Sequence, residues 1–294
     1  MWFIFTLITL FFWGGADLFY KIGSDPKDKY SHLKIVTLVG IVMGIHAFIF
    51  ILTSGINYKY INLIFYLPVS VPYISSMILG YVGLRYIELS LCSPICNSSG
   101  AVAFLLCFIF LGEKVSSLQF LAVAVITSGL ILLSIFEKRK SGRKIINKED
   151  RKYQKGFAAI MFPLMYCIID GFGTFADAII LERVMDEDQA LISYELTFLI
   201  VAVIAVFLLR VVFKQKITIP EQKERAAAAI LETAGQIFYI RAMAESAILT
   251  APIVACYSVV SILLSRLFLN EKLMKAQYLI IIFIIIAMGI LGME

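Results

Sequence analysis

Charge is what this chain has least of. Only 16% of its 294 residues are charged, against roughly 25% in an ordinary soluble domain, while 61% are hydrophobic. Mean hydropathy is +0.90. A soluble core cannot absorb that much apolar surface, so the bilayer is the expected solvent. Histidine is nearly missing: His32 and His46 are the only two, too few for a histidine-based metal site. The five cysteines, Cys92, Cys96, Cys107, Cys167 and Cys256, form no CxxC and no Cys/His cluster. They read as small packing residues. No HExxH, GxSxG or GxxxxGKS/T pattern occurs, which removes zinc peptidase, serine hydrolase and self-powered ATP pump. Asp170-Gly171-Phe172-Gly173 has the wrong order for the GxGD of an intramembrane aspartyl enzyme. No metal or cofactor is expected.

What is present is long apolar runs separated by short bursts of charge. A span needs about 20 predominantly apolar residues, and ten such segments can be drawn: 2–22, 32–54, 63–87, 93–112, 116–136, 156–181, 189–213, 224–244, 248–269 and 273–293. The first apolar run lacks a basic leader and a clear cleavage site, so it reads as the first span. Strands are not expected, because the runs are too long and do not alternate. The stretch 137–155 carries nine lysines and arginines and reads as a hydrophilic linker between residues 1–136 and 156–294.

Those two parts echo each other. Leu111-Gly112-Glu113-Lys114 returns as Leu269-Asn270-Glu271-Lys272, about 158 residues later; Gln119-Phe120 returns as Gln277-Tyr278, and Pro94 as Pro252. One membrane unit is written twice, which is a common way to build a transporter. Five spans per unit is an odd number, so tandem copies must enter the membrane in opposite senses. The expected fold class is an all-α integral membrane protein with ten transmembrane helices as a 5+5 inverted repeat. Lysine and arginine set the orientation. They crowd the loops around Lys21 to Lys34, the 137–155 linker, and Lys214 to Arg225, whereas the opposite side carries the acidic run Asp186-Glu187-Asp188. This places the linker in the cytoplasm and both termini outside. The net charge of +5 thus reads as membrane topology, not as a nucleic-acid footprint.

The chain resembles the drug/metabolite transporter superfamily, in its EamA-type ten-helix branch. The resemblance rests on Phe12-Trp13-Gly14, Leu84-Arg85-Tyr86, Ser93-Pro94, Leu111-Gly112-Glu113-Lys114 and the run Gln119 to Leu133 with Ser128-Gly129-Leu130. In the second copy it rests on Ala251-Pro252, Leu269-Asn270-Glu271-Lys272 and Met288-Gly289-Ile290. It implies a multi-pass transporter of the cell membrane, a bacterial plasma membrane in the first instance. Members move amino acids, amines, choline-like cations, nucleotide precursors or drugs. Many bacterial members are thought to keep both termini in the cytoplasm; the charge count here argues the reverse.

An ionisable group deep in a span is costly and calls for a reason. Asp170 and Glu232 lie near the middle of their spans, and Asp17, Asp177 and Glu195 nearer the ends. Asp17 has Lys21 one turn away as a possible partner, and the other two are expected to reach interfacial water. All five are acidic, with almost no lysine or arginine at matching depth. Such carboxylates take up protons or hold a cation. Trp13 and Tyr166 precede Asp17 and Asp170 by one turn, Tyr239 follows Glu232 on the same face, and Tyr81 and Tyr257 can reach the centre. Aromatic walls around carboxylates suit an ammonium ligand. Asn97 and Ser98, beside Pro94, can line the same space or simply let helices approach. Arg85, Glu113, Arg241 and Glu271 sit at the two mouths, drawn from both copies, and are the expected gating ion pairs.

The expected function is secondary transport of a small organic solute by alternating access. The favoured cargo is a cationic or zwitterionic amine or amino-acid-like molecule, with protons as an optional coupling ion. The alternatives are a neutral or anionic metabolite such as a nucleotide-sugar, an intramembrane enzyme, or a non-transporting membrane assembly partner. The expected partners are the solute, lipid, and at most a second copy in a homodimer.

Overall fold

The computed structural model describes residues 1–23, 28, 30–86, 96, 98–141, 157–215, 222–269 and 273–293. Among these there are helices and no strands. They are α1 (Trp2–Gly23), α2 (Ser31–Ser54), the short α3 (Ile61–Phe65), α4 (Leu67–Tyr86) and α5 (Ser99–Leu106, continued by a π turn over Cys107–Leu111). Next come α6 (Ser117–Ser141), α7 (Phe157–Arg183) and α8 (Glu187–Phe207, continued by a π turn over Leu208–Val212). The last three are α9 (Lys223–Val254), α10 (Tyr257–Leu269) and α11 (Lys275–Leu291). Five stretches are long and apolar enough to cross a membrane: Trp2–Gly23, Ser31–Ser54, Leu164–Arg183, Glu187–Val212 and Lys223–Val254. Five shorter apolar helices accompany them, at Leu67–Val82, Ser99–Leu111, Ser117–Leu133, Tyr257–Phe268 and Lys275–Leu291. Large apolar side chains such as Phe11, Leu52, Phe110 and Leu267 lie exposed on the outer surface, as lipid-facing helices require.

Three boundaries differ from the sequence reading. The span expected at 63–87 is two helices that meet at Tyr66. Pro68 explains the break, since it suits the first turn of a helix and has no N–H to carry the helical ladder back to Ile64. The eighth expected span ends at 244, but α9 runs on to Val254 through a kink at Ser246 (φ −159°, ψ 86°). The kink strands the Ala242 carbonyl, and the Thr250 hydroxyl donates to it at 3.1 Å. Finally, α6 continues to Ser141, into the expected linker, whose remainder lies outside the described residues.

Packing interleaves the two parts of the chain. α1 lies along α9 and α10, and α7 along α4 and α5; α2 pairs with α8, and α6 with α11. Glycines allow the closest approaches. A side chain at Gly14 would meet Val260 at 2.7 Å and the Tyr257 carbonyl at 3.1 Å; one at Gly171 would meet Val102 at 2.7 Å and the Ser99 carbonyl at 3.1 Å. At Gly40 it would collide with the Phe198 carbonyl across the α2–α8 crossing.

α9 also grips both ends of α1. Glu245 accepts from the Trp2 N–H at 2.6 Å, and Arg225 Nε donates to the Gly23 carbonyl at 2.8 Å. The acid sits at the positive end of the α1 dipole and the cation at its negative end. Arg225 is buried, with further bonds to Gln222 Oε1 (2.8 Å) and Ser31 Oγ (3.2 Å) and an ion pair with Asp28 at 3.7 Å. Lys34 holds the same Asp28 carboxylate at 2.7 Å.

Candidate functional site: a central acidic, aromatic cavity

Each helix that faces the centre presents a stripe at helical spacing. On α1 the stripe is Trp13, Asp17 and Tyr20; on α7 it is Tyr166, Asp170 and Thr174; on α9 it is Glu232, Gln236 and Tyr239. These spacings, i, i+4 and i+7 or i+8, put every member of a stripe on one face. α4 adds Tyr73, Met77, Gly80 and Tyr81, α8 adds Tyr194, and Cys96, Ser99 and Gly100 come from the start of α5. The far segment of α9 and Tyr257 of α10 complete a cavity of about 130 Å³. Its wall carries three carboxyls, seven tyrosines and one tryptophan, and no lysine, arginine or histidine among the described residues.

The three acids are held differently. Asp170 is the satisfied one: Oδ1 accepts from Ser76 Oγ at 2.9 Å and Oδ2 from Ser99 Oγ at 2.8 Å. The Glu232 carboxyl accepts no hydrogen bond among the described residues, and both Asp17 and Asp170 lie close enough to repel it. Asp17 stands beside Ser261 with Lys21 nearby, yet its Oδ2 is buried without a hydrogen bond. Three like charges in one sheltered space call for protons or a bound cation to neutralise them.

The aromatic wall is ordered by its polar tips. Trp13 Nε1 donates to the Glu232 carbonyl at 3.2 Å, and its ring lies 4.9 Å from that of Tyr239 and 6.0 Å from that of Tyr257. Thr174 Oγ1 donates to the Asp170 carbonyl at 3.0 Å and accepts from the Tyr73 hydroxyl at 3.1 Å. The Tyr73 and Tyr239 hydroxyls share a hydrogen bond of 2.6 Å. Tyr20 packs on Tyr81 with centroids 5.0 Å apart.

Of the residues proposed from sequence, Trp13, Asp17, Tyr81, Tyr166, Asp170, Glu232, Tyr239 and Tyr257 all line this cavity. Ser98 does not; its neighbour Ser99 does, one helical step round. Asn97 lies outside the described residues. Tyr20, Ser76, Thr174 and Gln236 escaped the sequence reading. Tyr20 and Gln236 had the right spacing from Asp17 and Glu232 to be found, but Ser76 and Thr174 carried no signal of their own.

Two carboxylates expected to reach interfacial water do not. Glu195 is 0% exposed, with both oxygens 2.8 Å from His46 Nδ1 across the α2–α8 crossing. Asp177 is 0% exposed and accepts from the Tyr66 hydroxyl at 2.6 Å. Close packing of α8 on α2, and of α7 on α4, excludes the water that the sequence reading assumed.

The expected gating residues are scattered. The side chain of Arg85, and Glu271 altogether, lie outside the described residues. Glu113 makes no ion pair among the described residues; partial burial and the neighbouring Glu182 push its carboxyl above the usual range. Arg241 stands near Asp188 of α8 without pairing to it. Ion pairs that do join the two parts of the chain among the described residues include Arg225 with Asp28 at 3.7 Å and the N-terminal ammonium with Glu245 at 2.9 Å; the sequence reading did not single out Arg225 or Asp28.

Comparison with known proteins adds a family and a fold. No curated protein matches the chain. A solved crystal structure of a protein with 12% sequence identity covers 98% of this chain and 98% of its own, with a TM-score of 0.72; at that identity the likeness is one of fold. The family model described as the EamA-like transporter family matches residues 1–135, α1 through most of α6. Over that segment the chain is similar to the EamA-like transporter family of the drug/metabolite transporter superfamily, whose members are membrane transporters of small solutes.

Proposed function

We propose that the protein is a secondary transporter of a small cationic or zwitterionic solute, an amine or amino-acid-like molecule, working by alternating access. The observation that carries this reading is the cavity wall: three carboxyls, aromatic rings around them, and no basic side chain among the described residues. An ammonium group gains both charge attraction and cation–π contact there, whereas an anion would meet only acids. Glu232, with no hydrogen-bond donor of its own, is the residue to exchange a proton for the cargo, and Asp170 the one to anchor it.

Alternating access needs two arrangements of one scaffold, which an inverted repeat supplies. The packing supports ten spans in a 5+5 repeat. Exchanging the two parts of the chain turns α1 on α9 and α10 into α7 on α4 and α5, and leaves α2–α8 and α6–α11 as pairs. Gly14 against Val260 and Gly171 against Val102 are the matching contacts. That correspondence sets Trp13 opposite Asp170, so the repeat is symmetric in backbone and asymmetric in charge. The lysine- and arginine-rich end, with Arg225 and Lys34, is the cytoplasmic one.

Thermal-shift screening of purified protein against amines, amino acids and phosphorylated anions tests the cargo class. Stabilisation by amines or amino acids is expected; stabilisation by phosphorylated anions alone refutes it. In proteoliposomes, transport of the hit should respond to an imposed pH gradient, and Asp170→Asn or Glu232→Gln should abolish that response. A wild type indifferent to the gradient removes the proton from the mechanism.

A further inference from the structure

The polar contacts between α4 and α7 do not stop at the cavity. Ser76 bonds Asp170, Tyr73 bonds Thr174, and Tyr66 bonds Asp177, so two antiparallel helices are joined by three successive polar rungs. Asp170, Thr174 and Asp177 share one face of α7, and seven residues of helix set Asp177 about 10 Å beyond Asp170. The first two rungs belong to the cavity; Asp177 and Tyr66 do not line it.

Asp177 is more than the rung needs. Thr174 shows that a neutral hydroxyl suffices to join these helices. Asp177 is 0% exposed; its Oδ1 accepts from Tyr66, and the Tyr73 hydroxyl faces the same carboxyl. Its Oδ2 is buried with no hydrogen bond among the described residues. A carboxyl held half-satisfied inside a helix bundle is expensive, and packing alone gives no return for it. Between this uncommitted oxygen and the cavity stand Tyr73 of α4 and Tyr239 of α9, joined hydroxyl to hydroxyl at 2.6 Å. The pair comes from two helices on opposite sides of the chain's midpoint, which any relative motion of the two halves would part.

We propose that Asp177 is a second cation-binding station, distinct from Asp170 and Glu232, and that the Tyr73–Tyr239 hydrogen bond is the gate between it and the cavity. The ligand class is an organic ammonium, primary or quaternary, and the proposal rests on the cationic reading of the cavity given above. When the phenols separate, the ammonium head leaves the Asp170 carboxylate, passes between two aromatic rings and is received by Asp177. The Tyr66 hydroxyl stays on the far oxygen throughout. The route ends toward the Arg183 end of α7, the face opposite the Arg225 cluster.

Cys96 lines the cavity and serves as the reporter. Cys92, Cys107, Cys167 and Cys256 are replaced by alanine. Membrane-impermeant methanethiosulfonates, one carrying trimethylammonium and one carrying sulfonate, are applied to the face bearing residues 183–187. The rate of Cys96 modification is then read. Tyr73→Phe and Tyr239→Phe should raise both rates severalfold. Asp177→Asn should lower the cation-to-anion rate ratio by about tenfold, the weight of one nearby charge in partly buried surroundings. Asp177→Thr copies the neutral rung at Thr174 without the charge and must give the same fall, which guards against a variant that merely misfolds. A ratio within twofold of wild type in Asp177→Thr makes Asp177 a structural rung and overturns the station. Gate variants no faster than wild type overturn the gate. A wild type equally reactive to both reagents refutes the cationic reading itself and the station with it. A preference that is lost in Asp170→Asn and Glu232→Gln but kept in Asp177→Thr refutes the station alone.

Discussion

Arg225→Ala should loosen one end of the helix bundle without touching the cavity. The guanidinium is 4% exposed and makes bonds of 2.8, 2.8 and 3.2 Å to Gly23, Gln222 and Ser31, besides the 3.7 Å ion pair with Asp28. Breaking a buried pair by removing one partner costs about 3–5 kcal/mol. Lys34 remains on Asp28 at 2.7 Å, so the carboxylate is not stranded and the loss should sit near the lower limit, about 3 kcal/mol. The α1 terminal carbonyl loses its cap as well. A melting point lowered by about 6–12 °C in detergent is the expected readout. Arg225→Lys keeps the charge but not the fork of donors and should lose roughly half as much.

The pH dependence makes the test stricter. Partial burial works against the charge on Asp28, but the Lys34 hydrogen bond, the Tyr30 N–H and the charges of Lys34 and Arg225 outweigh it. The carboxyl is held below its ordinary 3.8. A group with a lowered folded value contributes stability that is fully present above its unfolded value and lost only as pH falls through the folded one. The deficit of Arg225→Ala should therefore be the same at pH 5 and pH 8. A wild-type melt, or a deficit that shrinks between those two pH values, would show that Asp28 and Arg225 do not hold the bundle in this way.

Other substitutions test the packing directly. His46→Ala leaves Glu195 buried and unpaired and should cost about 3–5 kcal/mol in a denaturant or thermal melt, whereas His46→Phe combined with Glu195→Leu should recover most of it; no difference between the two denies that the pair is buried. Gly14→Ala and Gly171→Ala should each cost about 1–3 kcal/mol by overpacking, relieved by Val260→Ala and Val102→Ala respectively. Gly289→Ala meets nothing within 4 Å and should raise the melting point, by up to about 1 kcal/mol of helix propensity. Thr250→Val should lose about 1 kcal/mol with the bond to Ala242, measured in the same melts.

What could be read from the sequence was whatever one helix decides for itself. The ends of α1 and α8 follow from apolar runs stopped by charge, and the end of α2 from Gly55 in the left-handed conformation. The stripes Trp13–Asp17, Tyr166–Asp170 and Glu232–Tyr239 follow from helical spacing, which is why these six of the eight proposed residues that line the cavity share it. What a second helix decides was not legible. Ser76 and Ser99 matter because α4 and α5 pack on α7 at Asp170, and nothing in their own segments says so. Glu195 looked like an interfacial acid until α2 brought His46 to it. Of the small polar run from Asn97 to Gly100, Ser99 and Gly100 face the cavity, with Ser98 about 100° of helix phase from Ser99. The kink at Ser246 was missed because apolar composition continues through it, and the stranded carbonyl is repaired locally by Thr250.

The hold of α9 on α1 has a consequence for how the protein is made. The Arg225 contact to Gly23 spans 202 residues of sequence, and at about 5–20 residues per second a ribosome needs roughly 10–40 s to cover that distance. During that interval α1 sits in the bilayer with Asp17 uncovered and its terminal carbonyls uncapped. A helix inserted well before its partner thus finds its place late, and a nascent chain stalled before α9 offers a polar, half-built α1 to whatever machinery surveys unfinished membrane proteins.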